Sequence, residues 1–276
     1  MFPLTLLELE QTALKIRRHV IEMIYKAGSG HPGGSLSATD ILVALYFGNI
    51  LKFDPRNPKA EKRDRFILSC GHTAPAYYAV LAETGVFNED LLQNLRSLDS
   101  SLQGHPSRVH ADFVETSTGS LGQGLSVGAG TALALKNKKL KEKVIVLSSD
   151  GEQNEGSHWE AVMFARHQAL GNLNLIVDQN CMQIGGMTSE VLNIEPLAEK
   201  YHAHGWEVYQ ADGHDFRRLL ASLSNFNNKG NKPRVVIART IRGKGVSFME
   251  GSEKYHACTL SEEEYQRALG ELIIKE

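Results

Sequence analysis

Residues 143–180 read "KVIVLSSDGEQNEGSHWEAVMFARHQALGNLNLIVDQN", and this stretch decides the fold. The apolar runs "KVIVLSS" and "NLIVDQN" predict buried strands. Between them, "SHWEAVMFARHQAL" predicts a helix with Ser157 as its N-cap and Gly171 as its stop. Because a helix between consecutive strands is the usual connection of a parallel pair, the stretch predicts an α/β fold.

The same alternation continues on both sides of this stretch. Toward the N-terminus, a periodic helix stops near Gly28, a second helix starts near Ser37, "RDRFILSC" predicts a strand, and "APAYYAVLAETG" and "LSVGAGTALALKNKK" predict helices. Toward the C-terminus, "GWEVYQAD" and "KPRVVIART" predict strands, while "DFRRLLASLSNF" and "SEEEYQRALGELIIKE" predict helices. We expect a mostly parallel sheet flanked by helices, folded as one domain over residues 1–276.

Composition narrows the class of ligand. The 276 residues carry 30 basic and 32 acidic side chains, so no extended electric field is available to bind nucleic acid or a membrane surface, and a small molecule is the expected ligand. The N-terminal residues lack the uninterrupted apolar run of a secretory signal, and no run is long enough to span a membrane. Three widely spaced cysteines without a C-x-x-C motif indicate a reducing compartment, so we expect a cytoplasmic protein.

Polar side chains follow the two strands of the opening stretch. Asp150 ends the first strand and Asn180 the second, and the carboxyl ends of neighbouring parallel strands face the same crevice. Their side-chain oxygens, together with the backbone carbonyl of Met182, are hard donors that suit Mg²⁺, with phosphate oxygens completing its octahedron. The pattern therefore predicts a metal site that holds a phosphorylated cofactor.

The glycine-rich and acidic segments allow other interpretations. An EF-hand loop that started at Asp150 would need Gly and Glu where the chain has Glu155 and Ala161, which excludes it. The glycines of "TGSLGQGLSVGAG" do not form G-x-G-x-x-G, and "RGKGVSF" is not a P-loop, which disfavours NAD and ATP. An Asp-capped turn with a solvated acidic loop stays open as the simplest alternative.

Three Gly-His pairs form a second pattern. They occur in "SGHPGG", "SCGHTAPAYY" and "LQGHPS" and place His31, His72 and His105 directly after a glycine. Glycine lets the backbone approach a ligand closely, and imidazole can donate to or accept from hydroxyls and phosphate oxygens. The alternative is that each histidine is an ordinary polar residue of a surface loop.

Together these motifs resemble transketolase, and specifically the separately encoded N-terminal subunit of a split transketolase. The resemblance runs from "SGHPGG" through "ETSTGSLGQG", "SDGEQNEGSHWEA" and "DQN" to "TIRGKGVSFMEGSEKYH" and covers nearly the whole chain. The thiamine diphosphate fingerprint of that family is usually G-D-G followed by N-N. Here Ser149 replaces the first Gly and Gln179 the first Asn, which leaves both metal-binding side chains in place.

The resemblance implies a thiamine diphosphate-binding fold, of the diphosphate-binding type, and a set of site residues. It implies Mg²⁺, or Ca²⁺ or Mn²⁺ in its place, on Asp150, Asn180 and the carbonyl of Met182. It implies thiamine diphosphate beside these residues. The further cofactor-binding positions are His72, Gly119, Leu121 and Gly151, and the implied catalytic residues are His31, His105 and His256, which face the sugar, and Glu155, which couples paired active sites.

The implied activity is the transfer of a two-carbon ketol unit from a ketose phosphate to an aldose phosphate in the pentose phosphate pathway. In the family, a pyrimidine-binding region supplies the glutamate that activates the cofactor, so the resemblance implies a separate C-terminal subunit in a heterotetramer with two copies of each chain. Two alternatives remain. One is a specialised transketolase for a branched or sulfonated sugar phosphate, and the other is a non-catalytic scaffold that binds the cofactor.

Overall fold

The fold is taken from a computed structural model that describes residues 3–274. Within that range the chain forms nine α-helices and seven strands. The helices are α1 (Leu6–Ala27), α2 (Pro32–Phe47), α3 (Ala74–Glu83), α4 (Gln123–Asn137), α5 (Gly156–His167), α6 (Thr188–Val191), α7 (Leu197–Ala203), α8 (Phe216–Leu223) and α9 (Glu262–Glu271). The strands are β1 (Arg65–Leu68), β2 (Val144–Ser149), β3 (Leu173–Gln179), β4 (Met182–Gln183), β5 (Gly186–Met187), β6 (Glu207–Asp212) and β7 (Arg234–Arg239).

Five strands form one sheet in the order β1-β2-β3-β7-β6, and every neighbouring pair is parallel. This confirms the expected parallel sheet. The register pairs Ser149 with Asp178, so β2 and β3 end side by side at the same edge. The short strands β4 and β5 form a separate antiparallel hairpin directly after β3.

Helices cover both faces of the sheet. Ile145 and Leu147 of β2 pack into a core with α1, α2, α3 and α8, whereas Val144 and Val146 pack into a second core with α4, α5 and α7. Burial on both faces is typical of parallel sheets and explains why the strands are continuous apolar runs. Within residues 3–274, no helix is both long enough and apolar enough to cross a bilayer.

Helix α2 begins earlier than the sequence predicted. It starts at Pro32 rather than near Ser37, and its first turn contains Gly33 and Gly34, which are poor helix formers. Proline suits the first helical position. Packing explains the glycines, because a Cβ at Gly33 would lie 2.8 Å from the side chain of Arg242. As a result, His31 is the residue that precedes the helix.

The predicted cap of helix α5 was wrong. The N-cap is Glu155, and Ser157 lies in the first turn, where its hydroxyl donates to the carbonyl of Gly122 at 3.3 Å instead of capping the helix. The helix ends at His167, before the predicted stop at Gly171. The helix α7 and the hairpin β4–β5 were not predicted. The predicted closing helix ends at Glu271, and residues 275–276 lie outside the described range.

Candidate functional site

Asp150 lies at the joint end of β2 and β3. It is 1% exposed, and its backbone N–H donates to the carbonyl of Asp178 at 3.2 Å. Its Oδ1 accepts from the N–H of Gly151 at 2.9 Å, whereas its Oδ2 is buried and has no hydrogen-bond partner among the described residues. A buried carboxylate oxygen without a partner is costly unless a ligand or cation completes it.

Asn180 lies directly after β3 and Met182 begins β4, and both line the same cavity as Asp150. The side-chain oxygen of Asn180 accepts from the N–H of Met182 at 3.1 Å, and the intervening Cys181 adopts a left-handed backbone with φ 64°. The carbonyl of Met182 accepts from Arg242 at 3.0 Å and retains a second lone pair. We call Asp150, Gly151, Asn180 and Met182 the metal corner.

The donor set of the metal corner fits a divalent cation. Burial and the neighbouring Asp178 raise the pKa of Asp150 to about 7, so the positive charge of nearby Arg242 does not fully offset the cost of the buried carboxylate. A hard cation would supply further positive charge and take the unpartnered oxygen as a ligand. Gly151 leaves room for a phosphate, because a Cβ at this position would meet no described atom nearer than 4.0 Å.

All the site residues named from the sequence line one cavity of about 490 Å³ at this edge of the sheet. The structure therefore brings them together, although this does not test their individual roles. They are His31, His72, His105, Gly119, Leu121, Asp150, Gly151, Glu155, Asn180, Met182 and His256.

Four of these side chains form a compact group, which we call the histidine group: His31, His72, His105 and His256. The ring of His31 is at its centre, with ring-centroid distances of 5.4 Å to His72, 5.7 Å to His105 and 5.6 Å to His256. His72 and His256 are 5.5 Å apart. The four residues are distant in sequence, so the group exists only because several loops converge.

Glycines allow that convergence. A Cβ at Gly71 would lie 2.8 Å from both the backbone N of Gly119 and the hydroxyl oxygen of Thr118, so the loop of His72 packs directly on the glycine-rich loop. Gly119 has φ +135°, a conformation that favours glycine, and a Cβ there would lie 3.0 Å from the ring of His105. Only residues without a side chain permit this packing.

A two-residue bridge fixes the position of His256. Gly30 donates to the carbonyl of Cys258 at 3.1 Å, and Cys258 donates back to the carbonyl of Gly30 at 3.0 Å. This pairing places the segment that carries His256 beside the residue that precedes His31. The sequence pattern alone contained no signal for the pairing.

Burial keeps the histidine group uncharged at neutral pH. It lowers the pKa of His31 and His256 to about 4 and that of His72 to about 3, and the repulsion between neighbouring rings acts in the same direction for His31 and His72. Neutral imidazoles can both donate to and accept from hydroxyls. The Nδ1 atom of His31 is buried without a partner among residues 3–274, so it is available to a ligand.

Glu152 is a buried residue that supports the cavity from behind and that sequence reasoning missed. Its carboxylate is fully buried and accepts from the hydroxyl of Ser69, from the N–H of Gly122 at 2.9 Å and from the N–H of Ser149 at 3.0 Å. Burial raises its pKa to about 7. Glu152 therefore ties the end of β2 to the glycine-rich loop. By contrast, Glu155 is exposed at the rim of the cavity.

Arg242 was also missed. It is 3% exposed and lines the cavity, and it donates to the carbonyls of Gln183 and Met182 at 2.9 and 3.0 Å. It thereby holds the β4–β5 hairpin against the metal corner. A single arginine in "TIRGKG" gives no sequence signal for this contact, because the hairpin itself was not predicted.

The family model "Transketolase, thiamine diphosphate binding domain" matches residues 9–272. A transketolase structure from Campylobacter jejuni superposes with a TM-score of 0.91 at 33% identity over 98% of this chain and 43% of that chain. A transketolase structure from Leishmania mexicana gives 0.89 at 30% identity over 96% of this chain and 41% of that chain. The fold and the cavity thus define a domain of the thiamine diphosphate-binding class.

Two curated relatives match over nearly their full length. One, from Phocaeicola vulgatus, is named as one of the subunits of an apulose-4-phosphate transketolase and is 40% identical over 96% of this chain and 93% of its own length. The other, "6-deoxy-6-sulfo-D-fructose transketolase subunit SqwG" of a Clostridium species, is 41% identical over 96% of both chains. The chain belongs to the transketolase family, as an enzyme chain that corresponds to the N-terminal part of the solved transketolases.

Proposed function

We propose that this chain is the diphosphate-binding subunit of a cytoplasmic, two-chain transketolase that moves a two-carbon ketol unit from a ketose phosphate to an aldose phosphate. The observation that carries the proposal is that one cavity is lined both by Asp150, whose buried Oδ2 has no partner among the described residues, and by a group of neutral histidines. A donor set of this kind suits a metal-bound diphosphate at one end and a polyhydroxylated substrate at the other.

In this proposal the chain's own residues anchor and orient the reactants. Asp150, Asn180 and the carbonyl of Met182 hold Mg²⁺, or Ca²⁺ or Mn²⁺ in its place, and Gly151 and His72 lie beside the diphosphate. Gly119 and Leu121 present backbone to the pyrimidine end. When bound, thiamine diphosphate supplies a nucleophilic carbon and an electron sink for cleavage of a carbon–carbon bond.

The catalytic residues of the proposal are histidines. His31, His105 and His256 form hydrogen bonds to the sugar hydroxyls and move protons during bond cleavage and formation, since a neutral imidazole can serve as either acid or base. Glu155, exposed at the rim of the cavity, couples this site to a second one across the interface of a heterotetramer with two copies of each chain. The C-terminal subunit supplies the carboxylate that activates the cofactor.

The identity of the sugar substrate is also part of the proposal. The pentose phosphate pathway is the leading assignment, and a branched or sulfonated sugar is the second candidate because two relatives at 40% and 41% identity are named for apulose 4-phosphate and a sulfofructose. The chain has both the metal corner and the histidine group. A scaffold that only binds the cofactor would not need the histidine group, so its presence argues against that alternative.

The test is reconstitution with a C-terminal transketolase subunit, Mg²⁺ and thiamine diphosphate, followed by assays of ketol transfer from linear, branched and sulfonated sugar phosphates. We expect activity in the mixture, little turnover by this chain alone, and a loss of at least about 100-fold in the Asp150→Ala variant, because a metal ligand is removed. Asp54→Ala, at a half-exposed aspartate outside the cavity, is the matched control and should retain activity.

The possible outcomes distinguish the two-chain enzyme from a one-chain enzyme and from a scaffold. Strong ketol transfer by this chain alone would contradict the two-chain proposal. A complex that forms, binds the cofactor and yet transfers ketol units from no sugar in the panel would favour the scaffold. Calorimetric titration of the cofactor into the complex separates a failure to bind from a failure to react.

A further inference from the structure

His214 connects helix α2 to the backbone that follows β7. It lies between β6 and α8, and its side chain is 12% exposed. Its Nδ1 atom is 2.6 Å from Oδ2 of Asp40, and its Nε2 atom accepts from the backbone N–H of Ile241 at 2.8 Å. His214 is not among the described residues that line the cavity of the metal corner. Both of its ring nitrogens are therefore used within the protein rather than offered to a ligand.

These two contacts assign one tautomer to the ring of His214. A backbone N–H can only donate, so the Nε2 atom carries no proton and accepts from Ile241. The neutral imidazole then carries its proton on Nδ1, which donates to the carboxylate of Asp40. The ring is thus a bridge with a fixed direction, with its donor toward α2 and its acceptor toward the backbone after β7.

Asp40 anchors this bridge. It is 4% exposed, and its Oδ2 also accepts from Arg17 of α1 at 2.7 Å. Burial alone would raise the pKa of this carboxyl, but the charge of Arg17 and the hydrogen bond from His214 lower it below its usual value. Arg17 in turn donates from Nε to the carbonyl of Lys244 at 3.0 Å. One buried carboxylate therefore holds, through two side chains, both ends of residues 241–244.

Residues 240–244, which we call the anchored loop, make two side-chain contacts with the metal corner and its surroundings. The hydroxyl of Thr240 donates to Asp178, the carboxylate that acts together with burial to raise the pKa of Asp150. The guanidinium of Arg242 donates to the carbonyl of Met182 at 3.0 Å. The position of the anchored loop therefore affects the direction of a carbonyl that belongs to the predicted metal site.

We propose that His214 is a positioning residue for the metal corner. Held by Asp40, it fixes the N–H of Ile241, and the anchored loop then presents Arg242 to the carbonyl of Met182. This inference rests on the metal site of the proposed function. Loss of an outer group that orients a metal ligand typically weakens metal binding by about 10–100-fold. The hydrogen bond to Ile241, rather than the volume of the ring, carries the role of His214.

Two amide substitutions separate the two hydrogen bonds of the ring. Glutamine can place an oxygen near the Nε2 position and accept from Ile241, whereas the shorter asparagine can place a nitrogen near the Nδ1 position and donate to Asp40. Mg²⁺ is titrated by calorimetry into the two-chain complex with saturating thiamine diphosphate. We expect the Kd for Mg²⁺ to rise by about tenfold or more in His214→Asn and to stay within about threefold of the wild type in His214→Gln.

Controls separate positioning from packing. His202→Asn, at an exposed histidine of α7, is the matched control and should leave the Kd for Mg²⁺ unchanged. Thermal unfolding of both His214 variants is measured in parallel, because a ring that only fills space would be replaced equally badly by either amide. Equal Kd values for the two His214 variants, or weaker binding in His214→Gln than in His214→Asn, would overturn the proposal.

A measurement on the full chain without metal distinguishes this inference from the proposed metal site. By NMR, the nitrogen shifts of the His214 ring report its tautomer, and the carbonyl-carbon shift of Met182 reports its contact with Arg242. We expect the ring proton on Nδ1, and a change at Met182 in His214→Asn that is absent from His214→Gln. If this pattern appears but the wild-type complex binds no Mg²⁺, the positioning role stands and the metal site fails. If Mg²⁺ binds but the pattern is absent, the positioning role fails alone.

Discussion

The metal corner stands on the ends of two paired strands, whereas the histidine group stands on four loops that are distant in sequence. The register of β2 and β3 places Asp150 beside the loop of Asn180, and Arg242 holds the hairpin that follows this loop. The histidine group instead depends on Gly71, on Gly119 and on the pairing of Gly30 with Cys258. Strand pairing therefore fixes one half of the cavity, and close contacts between loops fix the other.

Glu152 joins the two halves, so its removal should have the largest effect on stability. In Glu152→Ala three buried donors lose their acceptor, and we expect a loss of about 3–5 kcal/mol in the free energy of unfolding. Glu155→Ala is the matched control, since its exposed carboxylate makes no capping hydrogen bond, and it should change stability by less than about 0.5 kcal/mol.

Urea unfolding of the two variants checks this prediction. In addition, Glu152→Gln keeps the shape of the side chain but turns one acceptor into a donor that faces N–H or O–H donors. It should therefore be less stable than the wild type. Equal unfolding midpoints for Glu152→Ala and Glu155→Ala would show that the two halves of the cavity are not joined through Glu152.

Gly71→Ala should have a smaller effect that is confined to the histidine group. The added methyl would lie 2.8 Å from the backbone of Gly119, so the two loops must separate, at a cost of about 1–3 kcal/mol. Thermal unfolding measures the cost. Gly130→Ala is the control, because that glycine lies inside α4 with no described atom within 4 Å of its Cβ, and alanine there should stabilise the chain by up to about 1 kcal/mol.

If Gly71→Ala were as stable as the wild type, the loops would not depend on this contact. Magnesium affinity tests whether the effect of Gly71→Ala is confined to the histidine group and spares the metal corner. It should change little in Gly71→Ala, because the metal corner does not rest on the packing of Gly71 against Gly119.

The smallest expected effect is on the pH dependence of stability. The pKa of His72 falls from an ordinary value near 6.5 to about 3 in the folded chain, so between these values the unfolded chain binds more protons. His72 therefore contributes a loss of stability as the pH falls from 7, and His72→Gln lacks this contribution. Between pH 7 and 5.5 the variant should gain about 1 kcal/mol relative to the wild type.

Urea unfolding at the two pH values measures this gain. His167→Gln, at an exposed histidine, is the control and should show no such gain. The carboxylates with raised pKa values, Asp150 and Glu152, are present in both proteins, so their opposite pH dependence cancels in the comparison. A constant difference between wild type and His72→Gln would mean that burial does not suppress the charge of His72.

The sequence predicted the structural features that depend on local residue patterns. The strands β2 and β3 and the oxygen donors at their ends follow from two apolar runs and the helix between them. The start of α2 was predicted too late, because Gly33 and Gly34 have low helix propensity and are required by packing against distant residues. Local propensity carries no information about such contacts.

Residues whose role arises from burial were harder to predict. Glu152 lies in a polar, acidic segment, which in sequence is typical of a solvated loop, and only the three-dimensional fold shows it to be fully buried. The histidines were singled out by their glycines, but their convergence depends on loop contacts that no spacing rule describes.

The pairing of Gly30 with Cys258 also constrains the order in which the two regions of the cavity can fold during synthesis. All the residues of the metal corner come from the contiguous segment of residues 143–182, and Arg242 is added to it from later in the chain. The histidine group must wait until the segment near Cys258 has left the ribosome and closed a long loop onto the first helices. During synthesis the chain therefore passes through a period in which the segment that carries the metal ligands has been made and the segment that carries His256 has not.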